Sequence, residues 1–210
     1  MSRPACVLFD LDDTLARYDH DARVRALAAR CGVAPERIEA ELFASGLEHD
    51  TDLGRFDAQG QADALAQRLG VPVAVADCIA ARAVSMTPHD AVIALARQVS
   101  RRARLAILTN NGLLIRDHLG TLCPALAQLF AGHVFCSAEF GTGKPEPAFF
   151  HRCLERLQLA PAAALFVDDK PANVDAARGI GLHAHHYCDP AGLAAVLRNH
   201  DLLEEATHAP

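Results

Sequence analysis

Three aspartates, Asp10, Asp12 and Asp13, lie within four positions at the end of the apolar run Cys6-Val7-Leu8-Phe9. Carboxylates crowded in this way repel and raise one another's pKa values, so a positive group is expected among them. Polar groups also follow other apolar runs. Thr109, Asn110 and Asn111 follow one, Lys144 sits in Gly141-Thr142-Gly143-Lys144-Pro145, and Asp168, Asp169 and Asn173 follow another. A set of carboxylates that leaves room for waters suits magnesium, with a phosphate as partner. One carboxylate of such a set can attack phosphorus and form an aspartyl-phosphate. A second, two residues along, can protonate the leaving oxygen and then deprotonate water. Lys144, with the hydroxyl of Thr109 and the amide of Asn110, would hold the phosphoryl oxygens as charge develops.

The elements that must position these groups are legible from periodicity. Short apolar runs predict strands over residues 5–9, 105–108, 133–136, 164–167 and 183–187. The first, second and fourth are nearly unbroken, as expected of strands covered on both faces of a parallel sheet. Helical patterns over 90–100, 113–130 (broken), 146–157, 173–179 and 191–199 separate or follow them. This alternation predicts an α/β fold with a doubly wound, Rossmann-like parallel sheet and right-handed crossovers. Ligands of such sheets bind beyond the carboxyl ends of the strands, where every polar group named above falls. Between residues 15 and 85 the rhythm changes to helical patterns alone, over 19–31, 35–45, 57–69 and 73–83. The expected organisation is a core of residues 1–14 and 86–210 with an inserted helical cap of residues 15–85, hinged near 15–18 and 85–89. The acidic end, running to Pro210, is expected to be frayed.

Composition narrows the function further. Half of the residues are hydrophobic and the formal charge is -6, which with no basic stripe argues against nucleic acid. The compact basic cluster Arg101-Arg102-Ala103-Arg104 reads as a helix end leading into a strand. No apolar stretch has the length of a membrane span, and the N-terminus lacks the pattern of a signal peptide. Seven scattered cysteines without a Cys-x-x-Cys pair indicate neither a disulfide framework nor a zinc cage. These features predict a cytoplasmic enzyme whose partner is a small phosphorylated molecule, and they carry no sign of oligomeric state.

Taken together, the motifs resemble those of the haloacid dehalogenase (HAD) superfamily. Asp10-Leu11-Asp12-Asp13-Thr14 matches its DxDxT motif, Leu108-Thr109-Asn110 the second motif, Lys144-Pro145-Glu146-Pro147 the third, and Asp168-Asp169 with Asn173 the fourth. The helical insertion resembles the C1 cap of subfamily I, and the texture is similar to α-D-glucose-1-phosphate phosphatases. The resemblance implies a phosphatase, with a sugar phosphate as one class of substrate. It makes Asp10 the nucleophile, Asp12 the general acid/base, and Thr109, Asn110, Asn111 and Lys144 the phosphate-binding set. Magnesium would be held by the Asp10 carboxylate, the Asp12 carbonyl and Asp169, with Asp168 close by or acting through water. Asn173 stands where many relatives have an acidic residue, and Asp13 is expected to shape the loop below the site.

Plainer roles exist for several of these residues. Thr109-Asn110-Asn111-Gly112 also suits a turn and helix start, which is compatible with phosphate binding at a helix N-terminus. His183, His185 and His186 are expected to be strand-end polar groups rather than metal ligands. In the cap, Arg17, Tyr18, Glu48, His49, Asp50 and Arg55 are candidates for facing substrate, of which about a third are expected to do so. A phosphomutase and a 2-haloacid dehalogenase are the alternatives within the same fold. The dehalogenase fits less well, because its relatives lack an acid at the position of Asp12. A phosphate-binding, receiver-like module is the non-enzyme alternative, disfavoured because its acidic pair would precede the phosphoacceptor.

Overall fold

The computed structural model describes residues 3–203; the acidic end of the chain, expected to fray, lies outside them. β1 (Cys6–Phe9) leads through a tight turn into the three-residue β2 (Ala16–Tyr18). There follow α1 (His20–Cys31), α2 (Pro35–Ile38), a π-helical stretch (Glu39–Ala44), α3 (Leu47–Asp52), α4 (Ala58–Leu69) and α5 (Val75–Val84). β3 (Met86–Pro88) brings the chain back to α6 (Asp90–Val99), β4 (Arg104–Thr109), α7 (Leu113–Leu122), α8 (Pro124–Leu129) and β5 (Val134–Cys136). α9 (Pro147–Leu157), β6 (Ala164–Asp168), α10 (Pro171–Gly179), β7 (His183–His186) and α11 (Pro190–Asn199) complete it. Among the described residues no helix is long and apolar enough to cross a membrane.

The expected parallel sheet is present, in the order β5-β4-β1-β6-β7. Register makes the two faces continuous: Val7 pairs with Leu105 and Leu165, and Phe9 with Ile107 and Val167. These side chains join one apolar layer with α6, α7, α8 and α11. The alternate residues Leu8, Ala106, Leu108 and Phe166 form the other with α9 and α10. Burying rings such as Phe9, Phe149 and Phe166 completely contributes roughly 1.5–3 kcal/mol each before entropy is counted. Successive strands are laid down to one side of β1 and then, with β6, to the other. The topological switch point therefore lies between β1 and β6, at the carboxyl ends that carry Asp10 and Asp168.

The inserted helices have a core of their own, built from Leu27, Ile38, Leu42, Leu47, Leu65 and Leu69. Local signals delimit them. Asp19 caps α1 by accepting from the Ala22 N–H at 2.8 Å, and Gly32 ends it at φ 66°. The expectation of helices alone between 15 and 85 needs correction at its edges. β2 and β3 pair antiparallel, Ala16 opposite Pro88 and Tyr18 opposite Met86, as a separate two-stranded ribbon. Three residues per strand are too few for alternation to show in sequence. α3 is likewise absent from the expected pattern, because a helix this short has little periodicity to detect, while the pattern over 35–45 is filled by α2 and the π-helical stretch. At the other end, the broken pattern over 113–130 is interrupted at Cys123, where Pro124 opens α8.

Candidate active site

Asp10 follows β1 and stays in register with the sheet, its N–H donating to the Val167 carbonyl at 2.8 Å. Its Oδ1 accepts from the Leu11 N–H at 2.7 Å and from Lys144 Nζ at 2.7 Å. The same ammonium lies 2.7 Å from Asp168 Oδ2. One buried lysine thus bridges the ends of β1 and β6, the two strands flanking the switch point. It supplies the positive group that the crowded aspartates require. Burial disfavours its charge, but the two carboxylates outweigh this and hold its pKa above the ordinary lysine range. Burial pushes Asp10 up to about 7 despite Lys144, with the Asp168 charge adding to the rise.

The lysine is placed by Asn110. The Asn110 Oδ1 accepts from the Lys144 N–H at 2.8 Å, and its Nδ2 donates to the Lys144 carbonyl at 2.7 Å. Gly143 makes this approach possible, since a Cβ there would lie 2.5 Å from Asn110 Oδ1. Both polar atoms of the Asn110 side chain are therefore turned to the Lys144 backbone. The side chain thus braces the loop that carries the lysine.

Asp168 is fully buried and well satisfied. Besides Lys144, it accepts from the Lys170 N–H at 2.8 Å and from Asn173 Nδ2, 3.0 Å from each carboxylate oxygen. Asn173 thus serves as a neutral donor to Asp168. Asp169, next in sequence, is different: its Oδ1 is buried and lacks a hydrogen-bond partner. Burial and the Asp168 charge raise its pKa. Oxygens of Asp10, Asp168 and Asp169 lie within 4.8 Å of one another. An orphaned carboxylate oxygen beside two other carboxylates is a donor set that fits a hard divalent cation.

Asp12 faces away from this group. Its Oδ1 and Oδ2 lie 2.6 and 2.7 Å from Arg82 Nη2, and Asn111 Nδ2 donates to Oδ2 at 3.0 Å. Burial would raise its pKa, but the Arg82 guanidinium and the donated hydrogen bonds hold it below the ordinary carboxylate range. Asn111 Nδ2 also donates to Thr109 Oγ1 at 2.7 Å, which leaves the buried threonine hydroxyl its own proton to donate. Asp13 shapes the turn into β2. It adopts φ 60°, its N–H donates to the Ala16 carbonyl at 2.7 Å, and its Oδ1 accepts from the Tyr18 N–H at 3.1 Å.

Two of the six candidates among the inserted residues join this centre. Tyr18 lies under the Arg82 guanidinium, 4.5 Å from carbon to ring centroid. Glu48 pairs with Arg23 at 2.5 Å and accepts from Gln61 Nε2 at 2.7 Å. His49 borders a cleft of about 490 Å³ that Asp52, Asn110, Lys144 and Lys170 also line. Arg17 is exposed on β2, and Asp50 and Arg55 form an exposed pair at 2.6 Å. Sequence reasoning missed Arg82, Arg23 and Asp52. The available signal for Arg82 was its place on α5, where Cys78 and Ile79, four and three residues before it, are apolar. Burial and the neighbouring Glu48 charge push Asp52 up to about 8, against Arg23 and the Gly112 N–H.

The histidines His183, His185 and His186 lie on β7. His183 stacks against His200 with ring centroids 5.0 Å apart, and His186 Nε2 is 2.9 Å from the Asp169 carbonyl. Among the described residues, the one group able to hold a metal is the Asp10, Asp168 and Asp169 set.

Known proteins share this arrangement. The model of the haloacid dehalogenase-like hydrolase family matches residues 4–181. A HAD-like family hydrolase of Porphyromonas gingivalis superposes with a TM-score of 0.74 and 25% identity, over 94% of this chain and 98% of that one. A HAD family enzyme of Bacteroides thetaiotaomicron, in complex with magnesium and inorganic phosphate, gives 0.73 and 18% identity over 87% and 93%. Among curated relatives, the glyceraldehyde 3-phosphate phosphatase of Methanopyrus kandleri is 27% identical over 176 residues, covering 78% of this chain and 75% of that protein. The chain spans less than half the length of three other curated relatives, matching 4%, 44% and 35% of them. With four motifs gathered at one sheet edge and a family match over most of its length, this chain belongs to the haloacid dehalogenase-like hydrolases.

Proposed function

We propose that this enzyme is a magnesium-dependent phosphomonoesterase acting on a small phosphorylated metabolite through an aspartyl-phosphate. The observation that carries the reading is the contrast between two carboxylates two residues apart. Asp10 is held against a buried lysine beside the acidic group of β6, whereas Asp12 is turned toward the helical insertion and bound by Arg82. Asp10 lies in the group that could hold a cation, which would favour its ionised, attacking form, and Asp12 faces the insertion, where a leaving group would depart. The phosphatase among the relatives and the magnesium and phosphate bound to the Bacteroides enzyme support it.

In this mechanism Asp10 attacks phosphorus, and Asp12 gives a proton to the departing alkoxide and later takes one from water. Lys144 neutralises the charge of Asp10 and Asp168, and it meets the phosphoryl oxygens together with the Thr109 hydroxyl. Asn111 keeps Thr109 and Asp12 aligned, and Asn110 keeps the lysine in place. Asp10, Asp169 and the Asp12 carbonyl would hold magnesium, with Asp168 in support; the ion supplies charge stabilisation to the transferring group. Residues 15–85 act as a cap that swings on the β2–β3 ribbon and excludes bulk water when closed.

The test is phosphate release from a panel of phosphomonoesters, with and without magnesium, for the wild type and Asp10→Asn. Magnesium-dependent release that Asp10→Asn abolishes supports the proposal. Full turnover in excess chelator overturns it, as does transfer of phosphate within a sugar phosphate without net release, the mark of a mutase.

A further inference from the structure

Arg82 is the most unusual charged group in the molecule. Its side chain is 2% exposed, yet only Nη2 is hydrogen-bonded, to Asp12; Nε and Nη1 are buried without a partner. Leaving buried donors of a charged group unmatched is costly, so a natural sequence keeps them for something that comes and goes. Arg82 lines a small cavity of about 20 Å³ together with Glu48, Asp52, Gln61, Asn111 and Gly112. That space holds roughly one water-sized oxygen. Two of its lining residues, Arg82 and Asn111, also hydrogen-bond Asp12, the group assigned to protonate the leaving oxygen.

We propose that this cavity is a hydroxyl subsite, and that Arg82 selects phosphomonoesters whose alcohol carries a second hydroxyl on the carbon next to the ester carbon. The inference rests on the phosphatase reading and deepens it toward small polyol and sugar phosphates. Three features point to a hydroxyl. The lining offers unmatched donors on Arg82 and carboxyl acceptors on Glu48 and Asp52, and a hydroxyl both accepts and donates. The arginines are already balanced, Arg23 by Glu48 and Arg82 by Asp12, so the cavity has no spare positive charge for a second anion. Its room for roughly one water-sized group favours a single oxygen over a carboxylate. Arg82 Nη2 lies 2.6 Å from Asp12 Oδ1, so the guanidinium that lines the cavity also touches the group serving the ester oxygen, which favours a hydroxyl close to that oxygen.

The experiment compares kcat/KM for 2-hydroxyethyl phosphate, ethyl phosphate and phosphoglycolate in the magnesium-loaded enzyme, with p-nitrophenyl phosphate as a general substrate. The wild type should favour the hydroxyethyl ester over the ethyl ester by roughly tenfold or more, as sites built to bond a hydroxyl do. Phosphoglycolate should be no better than ethyl phosphate. Arg82→Met should slow every substrate through Asp12 and bring the hydroxyethyl-to-ethyl ratio close to one, a change that a merely structural arginine would not cause. Should Arg82→Met fail to fold, Arg82→Lys keeps the cation beside Asp12 and should lose most of the preference. Equal use of the two alkyl esters, a ratio unchanged in the variants, or preference for phosphoglycolate overturns the subsite. So does turnover of p-nitrophenyl phosphate with neither alkyl ester accepted. No phosphate from any ester removes the phosphatase reading beneath it.

Discussion

Arg82 of α5 grips Asp12 across 70 positions of sequence, its Nη2 within 2.7 Å of both carboxylate oxygens. A side chain of the helical insertion therefore completes the environment of a residue at the sheet edge. Position of the insertion and orientation of Asp12 are coupled through this one guanidinium.

Asp10→Asn should abolish turnover and carry no covalent phosphate. Asp12→Asn should keep substrate binding and slow hydrolysis roughly 10²–10⁴-fold, the range for losing a positioned acid/base. With an aryl phosphate, whose leaving group needs no proton, aspartyl-phosphate should accumulate in Asp12→Asn. Acid quench and intact mass read it out, and wild-type rates in Asp12→Asn would contradict the assignment.

Asp169 carries an unpartnered buried oxygen within the acidic group. Its replacement in Asp169→Asn should raise the magnesium concentration needed for half-maximal thermal stabilisation by about tenfold or more. A thermal-shift titration reads this without any substrate. An unchanged midpoint would place the ion elsewhere.

Lys144→Met leaves Asp10 and Asp168 buried without their shared cation. Breaking a buried pair in this way costs on the order of 3–5 kcal/mol, measurable by urea unfolding. The sign with pH follows from the carboxylates. Without the ammonium the folded-state pKa of Asp10 rises further, so stability is retained at acid pH and lost as pH rises through that value. The deficit relative to wild type should shrink below about pH 5, a window bounded by the ordinary carboxylate range.

Asp52 has its pKa raised from 3.8 to about 8. Between those values the folded protein holds a proton that the unfolded chain has released, so this group's contribution to stability falls as pH rises. Asp52→Asn removes that slope. At pH 9 the variant should melt above wild type, by about 2–4 °C for each kcal/mol relieved in a chain of this length. At pH 4 the difference should be small. A variant less stable at both pH values would show that Asp52 is ionised and needed as such.

Asp10, Thr109 and Asp168 of the candidate edge were legible because each closes or follows a buried apolar strand. Asp10 follows Cys6–Phe9 and Asp168 closes Ala164–Asp168, so periodicity located the strands and the loops after them followed. Lys144 was legible from its glycine- and proline-shaped loop, although nothing in that loop shows Asn110 bracing it. Arg82 was not found, because nothing local to α5 reveals a partner 70 residues away. Likewise, the antiparallel pairing of Ala16–Tyr18 with Met86–Pro88 joins segments that are distant in sequence and too short to alternate. What sequence withheld was long-range pairing, which depends on how the insertion sits against the sheet.

The β2–β3 ribbon has a consequence for how such an enzyme diversifies. Both boundaries of the insertion lie on one ladder, with Arg17 opposite Thr87. In genetic terms, the proposed cap of residues 15–85 would be a cassette whose two ends are already adjacent. Lengthening, shortening or exchanging it leaves the spacing of Asp10, Lys144 and Asp168 to the sheet, and it replaces Arg82, Glu48 and Asp52 in one event. With Arg82 as the selector, bond-breaking chemistry and choice of alcohol are inherited on separate stretches of chain.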